Sequence, residues 1–247
     1  MARIVNDISA PVSVVKYAES QLYEPQEGIY RVTEIISPPL ARTLCLKRWN
    51  EIEIRLSSLL PAMEGTAWHG KMELFSPDSA IIKTRYTKQY KDVFITGEPD
   101  IYVPNEQWLG DYKLTSVWHW ILDNNWPEQL NIYRWLMNGG HKGSDLFNPV
   151  DLPVKKMSIF ASFKDWTERD LQRATRKYPP ARYLTVPIDV WPNSQTQGYI
   201  DERMTDHLEH PDRECTDKEK WNKSVRCRSW CPAGCVCPYN PFRDNNY

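Results

Sequence analysis

The chain has 247 residues, 41% of them hydrophobic, with 11 Trp and 13 Tyr. That is enough apolar side chain for one large core or two small ones, and it excludes a disordered chain. The formal net charge of -1 excludes recognition of a polyanion by global charge and leaves that task to local basic patches.

No long apolar run occurs, so the expectation is a protein that is neither secreted nor membrane-spanning, cytoplasmic (in the host cytoplasm if viral) and without a membrane partner. Structural disulfides are not expected in such a compartment. Along the chain, residues 1–27 read as a lead-in, with 1–22 a loosely packed arm, and Gly28–Ser37 as a short strand or extended segment. From Leu40 to Ile54 the apolar spacing predicts a helix packed on one side. Pro61 interrupts the pattern before a second helix over Gly65–Phe75. Three strands follow, at about 81–89, 92–103 and 107–114, rich in β-branched and aromatic residues and punctuated by Pro104, Asn105 and Glu106. A helix starts near Pro127 and stops before Gly139. Another strand is expected over 155–163, and then a helix with Thr167 as its N-cap. Next comes an extended stretch over 182–191, with a final helix over 198–210. Basic residues gather at Lys83, Arg85, Lys88 and Lys91, at Lys155 and Lys156, and at Arg169, Arg173, Arg176 and Lys177. The ordinary reading of each is a solvated face.

Asp111 and Lys113 lie two apart on a predicted strand and so share a face. Tyr112 and Leu114 are expected to point the other way, into the core. Antiparallel pairing would bring Asp100, on the preceding strand, within a few ångströms of Asp111. Two such carboxylates suit a hard divalent cation, Mg²⁺ or Mn²⁺. A lysine beside them suits the attacking water or the developing negative charge. His69 and Glu73 share a face of the preceding helix, and His69 offers a nitrogen ligand. Gln129 and Tyr133 are paired in the same way on the following helix, where Gln129 is expected to be exposed and dispensable for folding. Asp-x-Lys alone is common in exposed hairpins and carries little.

The tail, 211–247, holds five of the six cysteines, spaced Cys215-x11-Cys227-x3-Cys231-x3-Cys235-x-Cys237. This density in a reducing compartment argues for a metal or cluster site. Thiolates suit Zn²⁺ or an iron–sulfur cluster, and spacing alone leaves both open.

The order Gly65-x-x-x-His69, Gly97-Glu98-Pro99-Asp100, Asp111-Tyr112-Lys113, Gln129-x-x-x-Tyr133 resembles the PD-(D/E)xK nuclease superfamily. More closely it resembles the RecB-type branch that includes the Cas4 exonucleases and related phage nucleases. The resemblance spans roughly residues 28–240. It implies an α/β fold: a PD-(D/E)xK nuclease-like core with a mixed central sheet flanked by helices and a cysteine-rich C-terminal tail. As a single nuclease domain, 1–247 would then comprise the lead-in, a core over 28–210 and the tail. The implied activity is Mg²⁺- or Mn²⁺-dependent hydrolysis of DNA, as an exonuclease on single strands or duplex ends rather than an endonuclease. His69, Asp100 and Asp111 would be the metal ligands. Lys113, Gln129 and Tyr133 would be the further catalytic residues, and Glu98, two before Asp100, would face the same pocket.

For the tail the resemblance favours a [4Fe-4S] cluster, with Zn²⁺ as the alternative. Cys215, Cys227, Cys231 and Cys237 are the expected ligands. Cys45 is the rival for the first position, and Cys235 is spare. Implied partners are DNA and a recombination, replication or CRISPR-associated protein. A non-catalytic DNA-binding scaffold and a zinc-stapled endonuclease are the alternatives.

Overall fold

A computed structural model of the chain describes residues 2–121, 125–143, 148–174 and 177–243. Arg176 lies outside them, as do the last four residues of the tail. The chain divides into two compact units, one of residues 1–63 with 201–247 and the other of residues 64–200.

The second unit is an α/β assembly built on a mixed sheet. Its strands lie in the order Tyr183–Ile188, Lys156–Phe163, Trp108–Thr115, Ile101–Val103, Ile81–Ile82. Trp108–Thr115 is central and runs parallel to Lys156–Phe163. The remaining pairings are antiparallel. A parallel pair needs a long crossover, and the helix Trp126–Met137 lies within it. Ile101, Leu109, Ile159, Ala161 and Phe163 are fully or almost fully buried along these strands. Four more strands, Pro149–Asp151, Asn138–Lys142, Tyr86–Tyr90 and Val93–Gly97, pair antiparallel in that order.

The first unit pairs Arg3–Val5 in parallel with Glu53–Arg55. Around Leu40, Leu44, Trp49, Ile52 and Ile54 it forms a core that also takes in Cys45, Ala233, Val236 and Cys237. Among the described residues, no helix is long and apolar enough to cross a membrane.

Several local expectations change. The arm is structured: it holds a strand at Arg3–Val5 and a helix at Val12–Ser20 whose Ala18 is completely buried. The helix expected over 40–54 ends at Arg48 and gives way to a 3-10 turn and a strand. Pro61 does not interrupt the next helix, which runs from Leu56 to Glu73. Its missing N–H leaves only the Ser57 carbonyl short of an in-helix partner, close to the helix start, where the loss is tolerated best. The expected strand 92–103 is broken at Glu98-Pro99-Asp100 into Val93–Gly97 and Ile101–Val103. Proline cannot donate to a ladder, and here it marks the exchange between two sheets. Thr167 does cap its helix, accepting from the Asp170 N–H.

Candidate functional site

The central strand carries Asp111 at its middle, opposite Ile159 of one neighbour. On the other side Ile101 pairs with Gly110. Asp100, one residue before that short strand, therefore arrives beside the Asp111–Tyr112 peptide. Its Oδ2 accepts a hydrogen bond from the Tyr112 N–H at 2.8 Å. Gly110 suits the close packing of side chains at this point. A Cβ there would stand 2.5 Å from the Trp108 ring and 3.0 Å from the Ile101 side chain, distances that ordinary packing does not allow.

The His69 Nδ1 lies 3.1 Å from Asp100 Oδ1, and the His69 ring meets Tyr112 edge-on at 6.4 Å. Lys113 Nζ lies 2.6 Å from Asp111 Oδ2. The structure thus brings His69, Asp100, Asp111 and Lys113 together. The expected facing of the strand is partly reversed. Asp111 is only 3% exposed, whereas Tyr112 and Leu114 are half-buried. In the interior the acid is paired with Lys113.

The two carboxyls are pushed apart in acidity. Burial drives Asp111 up to about 6, against the pull of Lys113 and with Asp100 adding to the rise. Burial also acts on Asp100, but the His69 hydrogen bond and charge, Lys113 and the Tyr112 N–H together hold it below the usual carboxylate range. Burial opposes the His69 imidazolium, yet Asp100 and Asp111 raise it above its ordinary value. One anionic and one proton-retaining carboxyl side by side is the pattern of a pair sharing a charge. Asp111 Oδ2 is buried without a well-formed hydrogen bond; the Lys113 ammonium meets it as an ion pair.

Gln129 and Tyr133 sit on the helix Trp126–Met137, and both are buried. Gln129 Nε2 donates to the Tyr133 hydroxyl at 3.0 Å. Burial, then the Asp111 carboxylate, raises the Tyr133 pKa, so the pair backs the carboxylates. The expectation of an exposed, dispensable Gln129 is corrected. Glu73 and Glu98 are engaged elsewhere, with Lys83 at 2.8 Å and Arg85 at 3.1 Å. Those pairs take up two cations of the basic stretch. Lys88 Nζ donates to the Trp135 and Asn138 carbonyls. Sequence reasoning missed these local partners: Lys83 and Arg85 lie in a break between the strands Ile81–Ile82 and Tyr86–Tyr90, where one strand over 81–89 was expected.

In the first unit, Cys215, Cys227, Cys231 and Cys237 line one cavity together with Arg226, Glu219 and Asn240. Cys45 is buried outside that lining, and burial, then Cys231 and other neighbours, raises its thiol to about 12. Cys235 Sγ accepts from the Glu53 N–H at 3.3 Å. Burial raises Cys215 to about 11 and Cys231 to about 12. Asn240 ties the surrounding loop by donating to the Gly234 carbonyl at 2.8 Å and the Cys227 carbonyl at 3.3 Å. No disulfide joins any of the six cysteines. Among the described residues, no three His, Cys, Asp or Glu side chains meet closely enough to hold a single metal ion.

No family model matches the chain, and no curated protein does. Solved structures do. SSO0001 matches over 92% of this chain and 95% of its own, at 15% identity and a TM-score of 0.55. A phage related exonuclease from Haemophilus somnus 129PT matches over 81% of this chain and 79% of its own, at 15% identity and a TM-score of 0.33. At this identity the likeness to SSO0001 is one of fold alone, and the second overlay is too loose to carry an argument.

Proposed function

We propose that the chain is a Mg²⁺- or Mn²⁺-dependent deoxyribonuclease that hydrolyses phosphodiester bonds at DNA ends or in single strands. The observation that carries this reading is the convergence of Asp100, Asp111 and Lys113 at the junction of two neighbouring strands, with His69 presented from a helix. The order of these residues along the chain resembles that of the PD-(D/E)xK nucleases.

The donor set fits a divalent cation. Two carboxylates and an imidazole nitrogen are the donor types such an ion takes, although in this structure they do not meet at a single point and Asp111 Oδ2 is paired with Lys113 at 2.6 Å. His69, Asp100 and Asp111 would hold the ion. When bound it offsets phosphate charge and lowers the pKa of a water. The protein's own groups do the rest. Asp100 is held anionic by His69 and the Tyr112 N–H. Lys113, paired with Asp111 at 2.6 Å, would place positive charge where negative charge develops on the phosphate. Gln129 and Tyr133, bonded to each other and buried, lie within electrostatic reach of Asp111.

The tail is read as a structural cluster site. A [4Fe-4S] cubane binds one thiolate per iron, so its four sulfurs must surround a volume, whereas a zinc ion asks them to meet at a point. Cys215, Cys227, Cys231 and Cys237 line one cavity, and the resemblance of the tail to the RecB-type branch is what favours the cubane over zinc.

The test is cleavage of end-labelled single-stranded and duplex DNA with Mg²⁺, Mn²⁺ or chelator. Metal-dependent cleavage that disappears in Lys113→Ala supports the reading. Cleavage that persists in chelator, or at the wild-type rate in Lys113→Ala, refutes it.

A further inference from the structure

A second cavity of about 210 Å³ lies in the first unit, between the strand and helix start at Glu53–Ala62 and the tail segment Arg228–Pro232. Two arginines, Arg55 and Arg228, line it, together with the indole of Trp230 and the hydroxyl-bearing Ser58 and Ser229. Trp230 is 46% exposed although it is a large aromatic. The acid at the rim, Glu53, is paired with Arg3. Asp7, held anionic by the Ser57 N–H and hydroxyl, lies near Arg55 and offsets part of its charge. Arg228 is exposed and lies 6.0 Å from the Phe242 ring.

We propose that this cavity is a subsite for one nucleotide of an unpaired nucleic-acid strand, with the base against Trp230 and the flanking phosphates at Arg55 and Arg228. Charge and shape select that occupant. Arginine forks pair with phosphate oxygens and stay cationic at any working pH. An exposed indole offers a face that any base can stack on, without hydrogen bonds that demand one sequence. A duplex keeps its bases stacked inside and cannot present one to the indole. The cavity is too small for a folded partner and of the size of a single base with its sugar. The inference rests on the nuclease reading only in choosing nucleic acid among polyanions.

The experiment is fluorescence anisotropy of the full chain with a short labelled oligothymidylate, in chelator so that no strand is cut. Trp230→Ala and Arg228→Ala should each weaken binding about tenfold or more. Trp230→Phe should keep most of the affinity, and an oligomer lacking bases should bind the wild type as weakly as normal strands bind Trp230→Ala. Circular dichroism of the variants identifies any that fail to fold, and Trp230→Phe serves as the folded aromatic control. Equal binding by folded Trp230→Ala, or a duplex that competes as well as the single strand, overturns the proposal. Failure of the nuclease reading looks different: the chain then binds through Trp230 and Arg228 but cuts nothing when Mn²⁺ is restored.

Discussion

Asp111→Asn keeps the size and shape of a side chain that is 3% exposed and removes only its charge. In the folded chain burial pushes the carboxyl from 3.8 to about 6, with Lys113 pulling it back and Asp100 adding to the rise. Each pKa unit is worth about 1.4 kcal/mol, so keeping this acid ionised costs the fold on the order of 3 kcal/mol. Between about pH 4 and 6 the folded state binds more protons than the unfolded one. Stability therefore falls as pH rises through that window and levels off above it. The asparagine variant escapes this fall. It should match the wild type near pH 4 and exceed it by up to roughly 3 kcal/mol above pH 6, less whatever the amide loses as a partner for Lys113. At about 2–4 °C per kcal/mol for a chain of this size, the gain in melting temperature is several degrees, while cleavage should vanish. Thermal unfolding followed by circular dichroism from pH 4 to 8, in chelator, measures it. A variant destabilised equally at every pH, or stabilised as much at pH 4 as at pH 7, would refute the buried-acid account.

Gln129→Ala should destabilise the chain by about 1–3 kcal/mol, because it strands the buried Tyr133 hydroxyl that Gln129 now serves; urea unfolding reads this, and an unchanged midpoint would place Gln129 at the surface. Lys113→Ala should retain Mn²⁺ binding by calorimetry yet lose cleavage, since its amine acts on charge that appears only in the transition state. His69→Gln should cost more stability at pH 6 than at pH 8.5 in chelator. Its folded pKa is raised, so its contribution is complete below 6.5 and is lost as pH climbs through the folded value; a pH-independent cost would separate His69 from Asp100. After anaerobic purification, alanine at Cys215, Cys227, Cys231 or Cys237 should remove iron–sulfur absorbance while Cys45→Ala and Cys235→Ala keep it, and a colourless wild type with one zinc would reassign the tail.

Much of the fold was legible because strand periodicity survives in single segments. The expected strands at 107–114 and 155–163 correspond to Trp108–Thr115 and Lys156–Phe163, and Thr167 announced its own helix. Illegible parts were those decided by distant partners. Asn138–Lys142 and Pro149–Asp151 are short, polar and glycine-bearing; they are strands because they pair with each other and, for the former, with Tyr86–Tyr90. Gly140 shows how tight that junction is, since a Cβ there would stand 2.1 Å from the Leu136 carbonyl oxygen. The arm was illegible for a related reason. Val12–Ser20 has few large apolar residues, and its packing around Ala18 engages Leu56 and Met63 from far along the chain.

The candidate site was legible in its residues but not in its energetics. Period two places Asp111 and Lys113 on one face, yet cannot say whether that face is wet or dry. The Glu98-Pro99-Asp100 break decides it. Because the chain leaves one sheet at Gly97 and joins another at Ile101, Asp100 sits at a strand start, where its carboxylate reaches the Tyr112 N–H and the His69 ring. Asp111, in mid-strand, has no such freedom and is sealed with Lys113. Two carboxyls of one residue type thus acquire opposite acidities from their positions in the ladder. A hydrophobic residue at 111 would pack this sheet at lower cost. Burial of Asp111, offset only in part by Lys113, is therefore a cost to the fold that sets a carboxyl beside Asp100 and does not stabilise the sheet.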